Sequence, residues 1–214
     1  MIKTEKATAN PYWDEIKSFV CKSDYRSSQE VPYDQWEKRA PCYHKYAYAI
    51  PDPDSLAFVA EHLGPRAIEI GAGTGYWAWQ LSQTGIDILA YDINPPDQIP
   101  NGYFVPRGEA SSPKTLTGTW YTVQQGDTLA LTEHPDRTLF LCWPPYGGSL
   151  ADECLQCYHG SRFVFIGEGD GGCTGDDAFF ERLDKEWEDV AVHDIVQWSC
   201  INDCIVVCER KSSP

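Results

Sequence analysis

Three glycines at alternate positions separate a short apolar run from a helical pattern, and this arrangement constrains the fold more than any other feature of the chain. Gly71, Gly73 and Gly75 stand in the segment EIGAGTGYW, between a strand predicted at residues 66–70 and a helix predicted from residue 76. Glycine lets a backbone turn sharply and approach a ligand that a Cβ would exclude. The segment predicts a strand, turn and helix that bind a cofactor; the alternative is a turn that is merely rich in glycine.

Strand and helix patterns alternate along the rest of the chain. Strands are predicted at residues 66–70, 86–91, 120–123, 138–143, 162–166, 190–198 and 204–208. Helical patterns at 149–158 and 176–189 follow the fourth and fifth strands. The alternation predicts an α/β fold with a doubly wound, mostly parallel sheet. No helix separates the last two strands, so we expect them to form an antiparallel C-terminal hairpin.

The first fifty residues differ from the rest in composition. Residues 1–50 are rich in tyrosine and tryptophan and show only short helical patterns, such as 11–20. A chain of 214 residues is long enough for one full domain with a small addition. We therefore predict a short helical N-terminal extension or lid at 1–50 and one domain at 51–214.

Charge and cysteine content limit the expected classes of binding partner and the expected location of the protein. The chain has 17 Lys and Arg against 32 Asp and Glu, a net charge of −15, which makes it a poor candidate for binding long nucleic acid. A small molecule or a protein is the expected partner, and the oligomeric state is left open. No apolar run is long enough to span a bilayer, the start lacks a secretory signal, and the 9 cysteines suggest no disulfide framework. We expect a cytoplasmic protein without a membrane partner.

The glycine segment departs from the fingerprint of nicotinamide and flavin enzymes. That fingerprint is G-x-G-x-x-G, and its last position here is Tyr76. A tyrosine is too large for the close contact between helix and strand that glycine permits. The departure argues against a dinucleotide site.

The segment resembles the first motif of the class I S-adenosylmethionine-dependent methyltransferases, acidic-x-G-x-G-x-G, through Glu69 and the three glycines. The resemblance implies a Rossmann-like sheet of seven strands in a methyltransferase domain at 51–214, with S-adenosylmethionine as cofactor. Its methionine part would lie over the loop that contains Ala72, and Glu69 would orient the loop or the cofactor's amino group. A carboxylate at a strand end can hold an ammonium group.

The resemblance implies further cofactor contacts. Asp92, at the end of the second predicted strand, would accept hydrogen bonds from both ribose hydroxyls, and Ile93 would contact the adenine. Asp127, with Gly126 beside it, would accept a hydrogen bond from the adenine amino group. Cys142, at the end of the fourth predicted strand, completes the expected set. The alternatives for the two aspartates are a solvated strand end and an ordinary turn.

A second segment, LFLCWPPYGG, resembles the fourth motif of the amino-group methyltransferases, [Asp/Asn/Ser]-Pro-Pro-aromatic, through Pro144, Pro145 and Tyr146. In that family the first residue and the following carbonyl accept hydrogen bonds from the target amino group. Here the first residue is Trp143, whose indole donates and cannot accept. Three interpretations remain: an amino methyltransferase that uses backbone carbonyls, an enzyme that holds a cationic or planar substrate by π contact, or a binding protein without activity.

A loop with many glycines and carboxylates, residues 167–177, follows the fifth predicted strand. Glu168 is the candidate for substrate binding or general base catalysis, and the alternative is a solvated loop glutamate. The acidic residues of this loop do not match a calcium loop, and the pair Cys154 and Cys157 has no second pair at zinc spacing. No metal is expected.

These observations predict a methyltransferase that transfers a methyl group to a nitrogen, or another nucleophile, of a small molecule or protein. The catalytic candidates are Trp143, Pro144, Pro145, Tyr146 and Glu168. Because the positive charge of the sulfonium disappears during transfer, we expect aromatic rings near the methyl and carboxylates farther away. The alternatives are a nucleic-acid base N-methyltransferase and a catalytically silent S-adenosylmethionine-binding module.

Overall fold

A computed structural model describes residues 9–18, 20, 33–104 and 116–212 of the chain. The strands are β1 (Arg66–Ile70), β2 (Asp87–Asp92), β3 (Val123–Gln125), β4 (Thr138–Cys142), β5 (Arg162–Gly167), β6 (Trp187–Asp194) and β7 (Cys204–Arg210). The helices are α1 (Pro11–Ile16), α2 (Tyr33–Lys45), α3 (Pro53–Leu63), α4 (Tyr76–Gln83), α5 (Ala130–Glu133), α6 (Leu150–Cys157) and α7 (Asp177–Glu186).

The seven strands form one sheet in the order β3-β2-β1-β4-β5-β7-β6. The first five strands in this order are paired in parallel, and β7 is antiparallel to both β5 and β6. The predicted α/β class, the doubly wound, mostly parallel seven-stranded Rossmann-like sheet and its antiparallel C-terminal hairpin are therefore confirmed. Chain order reverses beside β1, because β2 lies on one side of it and β4 on the other. Crevices that bind ligands open at such a point, beyond the carboxyl ends of the strands.

Helices cover both faces of the sheet, which explains why the central strands are almost entirely buried. In β1 and β5 every residue after the first is buried. Side chains of α3 and α4, such as Val59 and Trp77, pack on one face, and side chains of α6 and α7, such as Leu155 and Phe179, pack on the other. The two layers hold β1, β2 and β4 in place at the point where the crevice opens.

The described part of the first fifty residues packs against the molecule through a third cluster. Tyr12 is fully buried, stacks on Tyr46 with ring centroids 4.8 Å apart, and meets Tyr76 edge to face. Trp198 donates a hydrogen bond from Nε1 to the Tyr12 hydroxyl across 3.0 Å. Asn10 caps α1 and accepts a hydrogen bond from the Tyr76 hydroxyl across 2.9 Å. Tyr76, which stands where a dinucleotide fingerprint has glycine, thus anchors the N-terminal helix.

Several element bounds differ from the prediction. The strand predicted at 120–123 begins only at its last residue, as Val123–Gln125, and the helix predicted at 11–20 ends at Ile16. The sixth strand, predicted at 190–198, is Trp187–Asp194, because Trp187 already pairs with Arg210 and ends the helix before it. Nothing in the apolar pattern marks this change, since Trp187 continues the buried side of the helix. No helix in the described ranges is long and apolar enough to cross a membrane.

Candidate functional site

A cavity of about 620 Å³ opens at the carboxyl ends of β1, β2 and β4. Its floor comes from the residues that follow these strands, and its walls come from the segment after α2, the segment after β2 and the start of α6. Among the residues lining it are Tyr46, Tyr48, Glu69, Gly71, Ala72, Asp92, Ile93, Tyr103, Phe104, Gly126, Asp127, Cys142, Trp143, Pro145, Tyr146 and Glu153. Its volume lies within the range of small-molecule sites, roughly 300–1,000 Å³.

The glycine loop turns sharply at the end of β1. Gly71, Gly73 and Gly75 have φ angles of 77°, 53° and 71°, a left-handed conformation that favours glycine. The amides of Gly71 and Ala72 both donate to the Tyr91 carbonyl, which fixes the loop against β2. Of the three glycines, Gly71 lines the cavity, together with Ala72.

The other two glycines make room for protein side chains. A Cβ on Gly73 would lie 2.1 Å from Cζ of Phe104, and one on Gly75 would lie 2.9 Å from Cγ2 of Val123. Phe104 therefore packs directly on the backbone of Gly73. Gly73 and Gly75 are not among the residues that line the cavity.

Glu69 is buried beneath the cavity with one oxygen unsatisfied. The residue is 2% exposed, and its Oε2 has no hydrogen-bond partner within the described structure. Burial raises the pKa of Glu69 to about 8; a backbone hydrogen bond from Ala78 opposes this rise, and the charge of Asp92 adds to it. A buried acceptor without a donor is costly, so this oxygen is suited to a cationic donor brought by a ligand.

Asp92 ends β2 and points its carboxylate at the glycine loop. Its Oδ2 accepts from the Gly73 amide across 2.8 Å, and its Oδ1 accepts from the Asn94 amide across 2.9 Å and from the Asn101 side chain across 3.4 Å. Burial raises the pKa of Asp92, and the two backbone amides lower it. Each carboxylate oxygen has more than one lone pair, so Asp92 can also accept ligand hydroxyls. The neighbouring Ile93 is 65% exposed and lines the cavity.

The wall beyond Asp92 comes from the ends of β3 and β4. Gly126 donates its amide to the Asp92 carbonyl across 3.0 Å, and Asp127 accepts from the Leu129 amide across 2.9 Å while its side chain stays at the cavity. Cys142 lies on the opposite side of the floor. Burial raises the pKa of its thiol well above the ordinary value, so the sulfur stays protonated and acts as an apolar surface.

Trp143 has a left-handed backbone conformation, which the sequence does not predict. Its φ angle is 53°, which is uncommon for a residue with a side chain. Its indole Nε1 donates to Oδ1 of Asp203 across 2.9 Å, and its ring stacks on Tyr48 with centroids 5.1 Å apart. Tyr48 and Asp203 thus contact Trp143, and the sequence analysis identified neither of them. Neither carries a motif signal: Tyr48 is one of many aromatic residues near it, and Asp203 lies in a loop without a recognisable pattern.

The two prolines after Trp143 tie the turn to the loop after β5. The Pro144 carbonyl accepts from the Gly175 amide across 3.1 Å, and Pro145 forms an antiparallel bridge with Thr174. Pro145 and Tyr146 line the cavity, and Pro144 does not. Tyr146 is 72% exposed and stands at the mouth. These contacts make the turn rigid. They also engage the Pro144 carbonyl, which the resemblance assigns as an acceptor for a target amino group, with the Gly175 amide.

Glu168 lies away from the cavity. Its Oε2 accepts from the Cys173 amide across 2.7 Å, and its Oε1 accepts from the Asn202 amide across 2.8 Å. The side chain is 5% exposed and does not line the cavity. In this position the carboxylate joins two loops, and its partner Cys173 lines the cavity. Within the described ranges, no group of three or more His, Cys, Asp or Glu residues could hold a metal ion.

Aromatic rings from the N-terminal part and from the segment after β2 close the cavity over the glycine loop. Tyr48 meets Phe104 edge to face at 6.1 Å, and its hydroxyl donates to the Tyr103 carbonyl across 3.3 Å. Glu69, Asp92 and Asp127 lie at or after the ends of β1, β2 and β3, whereas Trp143 and Tyr146 follow β4. A fourth acidic residue of the lining, Glu153, lies on α6.

Comparisons with known proteins identify no family for the chain. No family model matches it, and no curated protein matches it. Among solved structures, TrmN from Thermus thermophilus is 16% identical over 74% of this chain and 48% of its own, with a TM-score of 0.44. This chain thus spans about half the length of that protein.

Two further solved structures are named as methyltransferases. Magnesium protoporphyrin IX methyltransferase (ChlM) from Synechocystis PCC 6803, solved with bound SAM, is 12% identical over 97% of this chain and 100% of its own, with a TM-score of 0.47. Precorrin-6y C5,15-methyltransferase from Geobacter metallireducens GS-15 is 16% identical over 77% of this chain and 90% of its own, with a TM-score of 0.44. Any assignment of activity to this chain therefore depends on its own cavity.

Proposed function

We propose that this protein is an S-adenosylmethionine-dependent methyltransferase and that the cavity binds the cofactor. The observation that carries the proposal is the buried, unpartnered Oε2 of Glu69, which lies at the same cavity as the glycine loop and Asp92. A cofactor with an ammonium group at one end and a ribose in its middle would satisfy both carboxylates. The sequence resemblance at Glu69 and the three glycines supports the same cofactor.

The residues present fit this group. Glu69 would accept from the ammonium, the exposed part of the loop at Gly71 and Ala72 would lie beneath the methionine part, and Asp92 would accept from the ribose hydroxyls. Ile93 and Asp127 would contact the adenine. When bound, S-adenosylmethionine supplies a methyl group activated by its sulfonium.

The chain's own contribution is alignment and exclusion of water. Trp143 is fixed by its hydrogen bond to Asp203 and its stack on Tyr48, and two prolines stiffen the turn that follows. Trp143 and Tyr146 follow β4, whereas Glu69, Asp92 and Asp127 lie at or after the ends of β1, β2 and β3, so these three carboxylates would lie at the ammonium, ribose and adenine of the cofactor and not at its methyl. We propose a nitrogen, or another nucleophile, of a small molecule or protein as the acceptor.

A catalytically silent S-adenosylmethionine-binding module is the second candidate. It is favoured by Trp143, whose indole N–H is bonded to Asp203, and by the Pro144 carbonyl, which accepts from Gly175. The usual acceptors of the amino-methyltransferase motif are therefore absent or engaged. A nucleic-acid substrate is disfavoured by the net charge of −15 and remains an outcome of the test below.

Calorimetry tests the cofactor assignment. S-adenosylmethionine and S-adenosylhomocysteine are titrated into the wild type, into Asp92→Ala, and into Asp97→Ala as the matched control, since Asp97 lies in the next segment and does not line the cavity. We expect Asp92→Ala to weaken binding by at least about tenfold, because a charge-assisted hydrogen bond contributes about 1.5–3 kcal/mol. Asp97→Ala should bind like the wild type. Binding of NAD(H) in place of both nucleosides would contradict the proposal.

A turnover assay then distinguishes an active methyltransferase from a catalytically silent binding module. Transfer of a labelled methyl group from the cofactor is measured in cell-extract fractions treated with nuclease, with protease, or with neither. A signal that survives both treatments indicates a small-molecule acceptor. Loss on protease treatment indicates a protein, and loss on nuclease treatment indicates a nucleic acid. Tight cofactor binding with no transfer into any fraction would favour the silent module.

A further inference from the structure

The charged residues of the cavity are all of one sign. Four described residues with charged side chains line it, namely Glu69, Asp92, Asp127 and Glu153, and all four are acidic. No lysine, arginine or histidine is among the described residues that line the cavity. Among the described lining residues, no cation would balance the phosphate or carboxylate group of an acceptor, so these residues disfavour an anionic acceptor.

Glu153 differs from the other three acids in position. Glu69, Asp92 and Asp127 follow or end β1, β2 and β3, where the proposed function places the cofactor. Glu153 lies in the first turn of α6, is exposed, and accepts a hydrogen bond from the Ser149 hydroxyl across 2.6 Å. Glu153 lines the cavity together with Ser149 and Tyr146, all of which follow β4 in the chain.

Aromatic residues that line the cavity can bind a cation or a flat apolar group. Tyr46, Tyr48, Tyr103, Phe104, Trp143 and Tyr146 all line the cavity. The Trp143 N–H is bonded to Asp203, so it is not offered to an anionic acceptor. A positive group near the face of such a ring is stabilised by its quadrupole, and the apolar body of the same molecule is stabilised by ring contact.

We infer that the acceptor is an amine that enters the cavity as a cation on an apolar, ring-bearing body, and that Glu153 and Tyr146 select it. Before transfer the ammonium gives one proton to solvent water at the open side of the cavity, and the freed lone pair forms the N–CH3 bond as the S–CH3 bond of the cofactor breaks. This inference rests on the proposed function, because the other carboxylates are assigned to the cofactor. The site disfavours anions as well as favouring cations, because an ionised carboxylate repels a negative group.

Three indole probes that differ in charge test the inference by calorimetry at pH 7. Tryptamine is a cation, indole-3-ethanol is neutral, and indole-3-propionate is an anion. Each is titrated into the protein with and without saturating S-adenosylhomocysteine. We expect tryptamine to bind about tenfold more tightly than indole-3-ethanol, and indole-3-propionate to bind most weakly. Equal affinities, tighter binding of the anion, or no binding of any probe at millimolar concentration would overturn the inference.

A matched pair of variants tests whether Glu153 is responsible for the preference for cations. Glu153→Gln removes the charge but keeps an oxygen for the Ser149 hydroxyl, and Glu181→Gln makes the same change of net charge on α7, outside the cavity. We expect Glu153→Gln to weaken tryptamine about fivefold without changing indole-3-ethanol, and Glu181→Gln to change neither. An unchanged tryptamine affinity in Glu153→Gln would overturn the role of Glu153. Failure of S-adenosylhomocysteine to bind would instead refute the proposed function, while the titrations without it still rank the probes.

Discussion

Trp143 and Asp203 are joined by a hydrogen bond of 2.9 Å from the indole Nε1 to Oδ1, although they lie 60 positions apart. Trp143 needs this support because its backbone is left-handed, a conformation that costs a residue with a side chain roughly 1–2 kcal/mol. Asp203 is 5% exposed, so its carboxyl is removed from water. The pair couples the geometry of the cavity to the protonation of a buried acid.

The first prediction concerns the pH dependence of stability. Burial raises the pKa of Asp203 to about 7; the hydrogen bond from Trp143 lowers it, the charge of Glu168 raises it and that of Arg39 lowers it. Because the folded-state pKa lies above the unfolded value, the stabilising contribution is complete below about pH 4 and is lost as pH rises through 7. Asp203→Asn should flatten the fall in unfolding free energy between pH 5 and 8, which amounts to a few kcal/mol.

Urea denaturation at pH 5, 6, 7 and 8 measures this dependence. Asp170→Asn, an exposed residue of the loop after β5, is the control and should follow the wild type. Parallel curves for Asp203→Asn and the wild type would refute the prediction.

The second prediction links ligand binding to proton release. With a pKa of about 8, Glu69 is mostly protonated at pH 7, and an ammonium placed beside Oε2 would lower its pKa. Binding of S-adenosylhomocysteine should then release about one proton per molecule, seen as heats that differ between buffers of different ionisation enthalpy. The release should disappear in Glu69→Gln and persist in Glu61→Gln, an exposed residue of α3. Heats independent of buffer in the wild type would show that no ammonium reaches Glu69.

The third prediction concerns Gly73 and Phe104. Alanine at position 73 would have a strained φ of 53° and a Cβ 2.1 Å from the Phe104 ring, so Gly73→Ala should destabilise the protein by about 1–3 kcal/mol. In a Phe104→Ala background the clash is removed and the cost should fall to about 1 kcal/mol of backbone strain. Gly85→Ala, with φ of 97° and nothing within 4 Å, is the control and should not couple to Phe104→Ala. Additive effects of Gly73→Ala and Phe104→Ala would show that the ring moves aside freely.

The fourth prediction separates a structural Glu168 from a general base. Glutamine keeps one acceptor for the amides of Cys173 and Asn202 and turns an N–H toward the other, so Glu168→Gln should lower the unfolding free energy by about 1–3 kcal/mol. Denaturant unfolding measures the loss, with Glu188→Gln on the exposed side of β6 as the control. Unchanged stability together with a loss of turnover would return Glu168 to the role of general base.

The sheet was predictable because its signals are local. Four of the five parallel strands are short, mainly apolar runs, and the missing helix before β7 marks the antiparallel hairpin. The exception is β3, which is Val-Gln-Gln and was predicted at 120–123. The position of Asp92 at the end of β2 follows from the same signals. The packing of the first fifty residues was not predictable, because Tyr12 finds Trp198 only in the folded molecule.

The parts of the site that one continuous segment forms were predictable from the sequence. The parts that depend on contacts between distant segments were not. The glycine loop is one continuous segment, but its contact with Phe104 depends on how the segment after β2 folds back. Trp143 was recognised by its motif, whereas its partners Asp203 and Tyr48 come from distant loops. Glu168 follows a strand as expected, but backbone amides from two loops draw its carboxylate away from the cavity.

The contact between Tyr12 and Trp198 has a consequence for synthesis of the chain. The two residues are 186 positions apart, so the tyrosine emerges from the ribosome long before its tryptophan exists. During that interval Tyr12 and Ile16, both fully buried in the finished protein, have no complete surface to cover them. The N-terminal face therefore cannot close before Trp198 has been made, and until then a chaperone would find this part of the nascent chain exposed.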